Sequence, residues 1–295
     1  MFKRYLSTIN KEAKYTLEYK KYLINSENKQ VQSFFHDLPI NFNKNEGTVN
    51  MIVEIPRYEQ GKFEISKKLP YNPIVQDTKK GKLRFINNIY PFHGYPCNYG
   101  AISQTWEDPR ISLNNKYFGD NDPLDICEIG STNVSKHEIG DIKKVKILGC
   151  LAMIDDGELD WKLLSIDIND KLSDKLNNIN DVDIYMPNLL NNLKNWFQNY
   201  KLPMNKPINQ FAFNGEWLNK DKAIEVIEEC HERWKLLVSQ TENENATNDY
   251  PTVYNTTLID TPLHNKEPIN LTLENQFTGK DNDKPLEVEE IYYYK

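Results

Sequence analysis

The chain has 295 residues, enough for one large domain or two small ones. Hydrophobic residues make up 39% and aromatic residues 12%, so a packed core is available, while a net charge of −7 argues against a nucleic-acid binder, whose surface is normally basic. No run reaches the roughly 18 apolar residues of a membrane helix, and the scattered Cys97, Cys127, Cys150 and Cys230, with no C-x-x-C pair, read as reduced thiols.

In chain order, the first eight residues are basic and hydroxylated, with no acid before Glu12, which fits a short mitochondrial presequence over residues 1–10. From Met51 to Ser165 the pattern is mainly strand. Lys62 and Glu64 alternate with Phe63 and Ile65, and Lys82 and Arg84 with Leu83 and Phe85, so each pair sets two polar groups on one face and two apolar groups on the other. Tyr95 and Tyr99 bracket Asn98 in a loop rich in Pro and Gly, which predicts exposed phenols. Gly119-Asp120-Asn121-Asp122-Pro123-Leu124-Asp125 then places three carboxylates within six residues. The Gly and the Pro favour a loop over a helix or inner strand. Three converging carboxylates are hard ligands, suited to Mg²⁺ or Ca²⁺ rather than zinc. An EF-hand starting at Asp120 fails, because Leu124, Asp125 and Ser131 occupy its fifth, sixth and twelfth positions.

Residues 145–154 and 161–168 are apolar, β-rich runs, and the Asp-Gly between them is a hairpin signal. Asp155 and Asp160 flank a four-residue connection, so the turn is expected to bring them together; close carboxylates repel unless a cation or proton lies between them. Leu189, Leu190, Leu193, Trp196, Phe197 and Tyr200 follow helical spacing after Pro187, as do Ala223, Ile227, Cys230, Trp234 and Leu237. Short strands followed by two helices suggest a small closed barrel with helices outside, an α+β arrangement. From about Ser239, Asn, Thr, Glu and Pro dominate, and residues 239–295 read as a polar tail with little capacity for a core of its own, touching the body through residues 291–294.

Lys62, Arg84, Lys162 and Lys201 are the basic counterpart of the aspartates. Singly, each reads as surface charge, but an Arg beside metal-binding carboxylates suits a phosphate held between metal and guanidinium. Tyr95, Tyr99 and Tyr200 add hydroxyls, and Glu54 and Glu64 extend the acidic wall. Residues 119–125, read with Val53-Glu54-Ile55-Pro56-Arg57 and Lys82-Leu83-Arg84-Phe85, resemble the soluble family I inorganic pyrophosphatases of the fungal and animal type. The resemblance runs from about Tyr15 to Trp234 and is strongest to the mitochondrial members in yeasts.

That resemblance implies a distorted OB-like five-stranded barrel in a catalytic domain of residues 11–238, acting as a homodimer on pyrophosphate with several Mg²⁺ ions per site. It makes Asp120, Asp125 and Asp160 ligands of the tightest metal, with Asp155 and Asp160 sharing another. Asp122 is the base for the attacking water and Tyr95 the proton donor. Lys62, Arg84, Tyr200 and Lys201 hold the phosphates with Lys162 beside them, and Glu54, Glu64 and Tyr99 line the site. Two positions depart from the cytosolic pattern: Tyr58 stands where Trp is usual, in the family's dimer contact, and Cys97 where His is common. The implied compartment is the mitochondrial matrix, with the cytoplasm as the alternative. The rivals are another Mg²⁺-dependent phosphohydrolase, acting on nucleotides or polyphosphate, and an OB-like binding module without activity. No base-stacking motif supports the first, and the intact acidic and basic sets oppose the second. Neither a nucleophilic Ser or Cys constellation nor a Walker sequence is present.

Overall fold

The computed structural model describes residues 6–131 and 137–294, so the first half of the candidate presequence lies outside the described residues. The body is built from strands β1 (Leu6–Lys11), β2 (Lys20–Asn25), β3 (Thr48–Ile55), β4 (Phe63–Ile65), β5 (Ile74–Gln76), β6 (Asn98–Ala101), β7 (Asp125–Glu128), β8 (Ile142–Asp155) and β9 (Glu158–Asp167). Helices α1 (Ile179–Tyr185), α2 (Leu189–Asn199) and α3 (Lys220–Val238) follow. Helical spacing marks α2 and α3 but not α1, whose seven residues are held by a capping box between Asn178 and Asp181. The result is a sheet-rich α+β fold. Five strands close into a hydrogen-bonded ring: β8 pairs with β9, β9 runs parallel to β7, and β7, β6, β3 and β8 continue antiparallel. Strands β1, β2, β5 and β4 form a second sheet.

The β8–β9 hairpin turns on Asp156 and Gly157 alone, with φ of 49° and 98°. A two-residue hairpin loop of this hand needs positive φ at both positions, which Asp-Gly tolerates. The connection is therefore two residues, not the four read from the sequence: Asp155 faces Glu158, and Asp160 faces Met153. Residues opposite one another, and residues two apart, share a face. Pleating, rather than the turn, thus puts Met153, Asp155, Glu158, Asp160 and Lys162 on one side of the hairpin.

Ring residues feed two apolar clusters. One holds Val49, Met51, Val53, Ile126, Ile147 and Leu163 with the first turns of α3. The other holds Ile52, Ile55, Leu148, Met153 and Leu164 with α2, the β1–β2 sheet and the end of α3. A single α3 stripe, Ala223, Val226, Ile227, Cys230, Trp234 and Leu237, serves both, as an amphipathic helix does. All four cysteines are buried and unpaired, and no helix among the described residues is long and apolar enough to cross a membrane.

Residues 239–294 are wrapped onto this body. Tyr250, Val253, Tyr254, Leu263 and Leu271 enter the second cluster, and Ile291–Tyr292 pairs in parallel with Asn88–Ile89. Asp37 accepts from the Thr256 and Thr257 amides, each at 2.8 Å. Beside it, His36 is fully buried, stacked on Phe35, accepting from Trp234 Nε1 at 3.0 Å on Nδ1 and donating from Nε2 to the Thr252 carbonyl at 2.9 Å. Both nitrogens are used by the neutral ring.

Burial lowers the His36 pKa from its ordinary 6.5 to about 4, against the pull of the Thr252 carbonyl. The neutral ring is the native form, so its contribution is complete above pH 6.5 and is lost as pH falls toward 4. Between pH 7 and 4.5 the parent protein should lose about 2 kcal/mol more stability than His36→Phe, measured by urea unfolding at the two values. Equal losses would show that His36 titrates normally in the fold.

Candidate active site

The hairpin face, the 119–125 loop and the end of α2 enclose a pocket of about 430 Å³. Every site residue read from the sequence lines it: Asp120, Asp122, Asp125, Asp155, Asp160, Glu54, Glu64, Lys62, Arg84, Lys162, Lys201, Tyr95, Tyr99 and Tyr200. Gly119 opens the loop at a point where a β-carbon would lie 2.5 Å from the Glu107 carbonyl oxygen, so a larger residue would push the aspartates away. The Asp122 amide donates to Asp120 Oδ1 at 3.0 Å, a turn-forming bond of the kind short acidic side chains favour.

The acidic half is organised around one ammonium. Lys162 Nζ binds Asp125 Oδ2, Asp160 Oδ1 and, at 2.9 Å, the Tyr99 hydroxyl. Register explains this: Lys162 lies directly beside Asp125 across the parallel β7–β9 pair and two residues from Asp160 on the same face. Burial works against the Lys162 charge, but Asp125 and Asp160 outweigh it and hold its pKa well above the usual range. Asp160 is nevertheless pushed up, by burial first and then by Asp125, against the pull of Lys162. Glu54, Glu107 and Asp120 are all raised strongly by burial and then by neighbouring carboxylates.

The basic half lies opposite. Lys62 Nζ is 2.9 Å from Glu64 Oε2 and 3.5 Å from Asp77 Oδ2, and Arg84 pairs with Asp77. Lys201 pairs with Asp155, while the Tyr200 hydroxyl reaches Asp155 Oδ2 at 3.3 Å. Burial and then Lys206, Arg84, Lys62 and Lys79 pull the Lys201 pKa down to about 7, a field the Asp155 pair opposes. So many cations around one ammonium make a place for an anion.

Two expectations change. Tyr95 is 4% exposed rather than open to solvent, because its ring packs between Tyr99 and Trp196, with centroids 5.1 and 4.9 Å away. Lys82 and Arg84 do not share a strand face: the strand paired with Thr78–Lys79 ends at Leu83, Lys82 remains exposed, and only Arg84 lines the pocket. The sequence reading also omits several neighbours. Lys67 Nζ is 2.8 Å from Asp122 Oδ1, Lys206 pairs with Asp156, and Glu158 lines the pocket on the Asp160 face. Glu158 was visible in principle from its spacing to Asp160. Asp77 and Glu107 carry no local signal and arrive through tertiary contact.

Glu107 bears on metal binding. Oxygens of Glu107, Asp120 and Asp160 lie within 4.8 Å of one another. Glu107 Oε1 accepts from the Trp161 amide at 3.1 Å, while Oε2 is buried with no partner. An orphaned carboxylate oxygen beside two other carboxylates, all of them hard donors, fits Mg²⁺.

The family model described as inorganic pyrophosphatase matches residues 51–235. The chain belongs to the inorganic pyrophosphatase family. It is an inorganic diphosphatase, a hydrolase. The mitochondrial inorganic pyrophosphatase of Saccharomyces cerevisiae is 54% identical over 250 residues, covering 83% of this chain and 79% of that protein. The inorganic pyrophosphatase of Kluyveromyces lactis is 50% identical over 256 residues, 86% of each chain. Among solved structures, the Schistosoma japonicum pyrophosphatase superposes with a TM-score of 0.87 at 36% identity, over 98% of this chain and 100% of that one. A Trypanosoma cruzi vacuolar soluble pyrophosphatase in complex with PPi gives 0.71 at 37% identity, over 79% and 90%.

Lys162→Met should leave Asp125 and Asp160 facing one another without a cation. Thermal unfolding of the metal-free variant should show a loss of about 3–5 kcal/mol, the usual cost of breaking a buried charge pair. Part of the loss should return on adding Mg²⁺. A midpoint equal to that of the parent would mean that Lys162 does not hold the carboxylates in place.

Proposed function

We propose that this diphosphatase hydrolyses pyrophosphate to two orthophosphates by direct attack of water, with Mg²⁺ as its cofactor. The observation that carries the reading is one pocket with an acidic wall and a basic wall, joined by Lys162. The Trypanosoma cruzi relative solved with PPi supports pyrophosphate as the substrate. Asp120, Asp125, Asp155 and Asp160 would hold several Mg²⁺ ions, with Glu107 behind Asp120 and Asp160. When bound, Mg²⁺ supplies charge neutralisation and acidifies water.

The remaining steps belong to the protein. Lys62, Arg84, Tyr200 and Lys201, with Lys162 beside them, bind and orient the two phosphoryl groups; the planar Arg84 fork suits paired phosphate oxygens. Asp122 orients the attacking water and accepts its proton as the new P–O bond forms and the bridging P–O bond breaks. Burial raises the Tyr95 pKa, keeping its proton in place for the departing phosphate. Glu54, Glu64 and Tyr99 shape the wall around these groups.

The five-strand ring is read as a distorted OB-like barrel. A homodimer is consistent with Tyr58, whose side chain is half exposed in the region of the family's dimer contact. Composition of residues 1–10 and the mitochondrial yeast relative support import into the matrix, with the cytoplasm as the alternative. Leu6–Asn10 also belong to β1, where Ile9 is buried, so this stretch serves the folded body as well.

Phosphate release from pyrophosphate should require added divalent metal; full activity after exhaustive EDTA treatment would rule out the metal mechanism. Asp122→Asn keeps shape but removes the proton acceptor. It should cut kcat by about 10²–10⁴-fold at saturating Mg²⁺, the usual worth of general-base catalysis. A kcat within a few-fold of the parent across pH would assign the base elsewhere.

A further inference from the structure

The C-terminal segment after α3 reaches the acidic loop. We propose that Asn121 is a positioning residue, and that residues 249–252 brace the Asp120–Asp122 loop through it. The proposal rests on the pyrophosphatase reading of the same pocket and gives the polar tail a part in catalysis.

Asn121 does not line the pocket, although the aspartates on either side of it do. Its φ is +69°, a left-handed conformation that suits Gly, Asn or Asp. Its side chain is spent on two ties. Oδ1 accepts from Trp106 Nε1 at 3.0 Å, and Nδ2 donates to the Asp249 carbonyl at 3.0 Å. Backbone bonds add to these: the Asn121 amide donates to the Glu107 carbonyl at 3.0 Å, and the Glu107 amide to the Asp122 carbonyl at 2.9 Å.

Both anchors are themselves held. Trp106 is fully buried, its amide donating to the Cys230 carbonyl of α3 at 3.0 Å. Tyr250 of the C-terminal segment packs edge-on against the Trp106 ring at 5.0 Å, and the Arg110 guanidinium lies 5.4 Å from the centre of each ring. Two residues further on, the Thr252 amide donates to the Lys67 carbonyl at 2.8 Å, and Lys67 Nζ is 2.8 Å from Asp122 Oδ1. Three residues within a four-residue stretch of the tail, Asp249, Tyr250 and Thr252, thus hold Asp122 from two sides, through Asn121 and through Lys67.

The physical need is clear. Asp120, Asp122 and Asp125 repel one another, and residues 120–124 ahead of β7 belong to no helix or strand, so ties to neighbouring segments must resist that force. Gly at 121 would allow the backbone but make neither tie. Asp would allow the backbone but add a fourth negative charge. Asn supplies the conformation, an acceptor and a donor without charge.

Asn121→Gly tests this with the full-length enzyme, because it keeps the left-handed backbone and removes both ties. Hydrogen exchange of the metal-free protein reads the loop directly. Amides of residues 119–125 should exchange more than about threefold faster than in the parent, as expected for a lost local restraint. The β8–β9 hairpin should be unchanged. With Mg²⁺, kcat should fall more than about threefold while KM for pyrophosphate changes less than that, the split expected when only the reacting geometry is disturbed. Trp106→Phe keeps an aromatic side chain and removes the donor to Asn121; it should also speed loop exchange and lower kcat by more than about threefold, though by less than Asn121→Gly, and it decides the matter alone should Asn121→Gly fail to fold. Loop exchange within about threefold of the parent overturns the bracing, and faster exchange with kcat inside that margin overturns the link to catalysis. A parent protein that releases no phosphate would defeat the functional reading instead, while the exchange comparison would still judge the brace.

Discussion

The rest of the site depends on how a cluster of carboxylates is kept together out of bulk water. Asp120, Asp125 and Asp160 crowd one side of the pocket with Glu107 behind them, and burial and neighbouring carboxylates disfavour the charged forms of Asp120, Asp160 and Glu107. Positive charge must enter the cluster or protons must. Lys162 is the part of that answer built into the chain, and the parallel β7–β9 pairing delivers its ammonium between Asp125 and Asp160. That pairing is one of the five strand pairings that close the ring.

The opposite wall solves the reverse problem. Lys62, Arg84, Lys201 and Lys206 would repel one another, and each is matched by an acid at its back: Glu64, Asp77, Asp155 or Asp156. The cations are therefore oriented before any anion arrives, which reduces the ordering that binding must impose. Asp155 belongs to both walls, being a candidate metal ligand and the partner of Lys201.

The scaffold is less divided than the composition suggests. The chain from Ser239 onward is polar on average, yet several of its apolar residues pack on the body, Tyr250 against Trp106 and Tyr254 against Tyr71, and the Thr252 carbonyl accepts from the His36 that also holds Trp234. A segment with too little apolar surface to form its own core can still be ordered when a neighbouring core supplies the other half of each contact.

The sequence by itself determined the local pieces and their chemistry. Gly119, Pro123 and the three aspartates define a hard-ligand loop; Asp156-Gly157 defines a hairpin; apolar spacing defines α2 and α3. Each rests on rules that act within a few residues, and the named motifs carried the family as well. What the tertiary structure alone decided is where those pieces meet. The hairpin gathers Asp155 and Asp160 by pleat register rather than by loop length, since side chains two apart, or opposite, share a face. Tyr95 is buried because Trp196, a hundred residues downstream, covers it. Glu107 and Asp77 join the site, and the tail reaches Asn121, only through contacts between distant segments. No local pattern records such contacts, because their partners lie far apart in sequence and are brought together by burial of the apolar clusters beneath them.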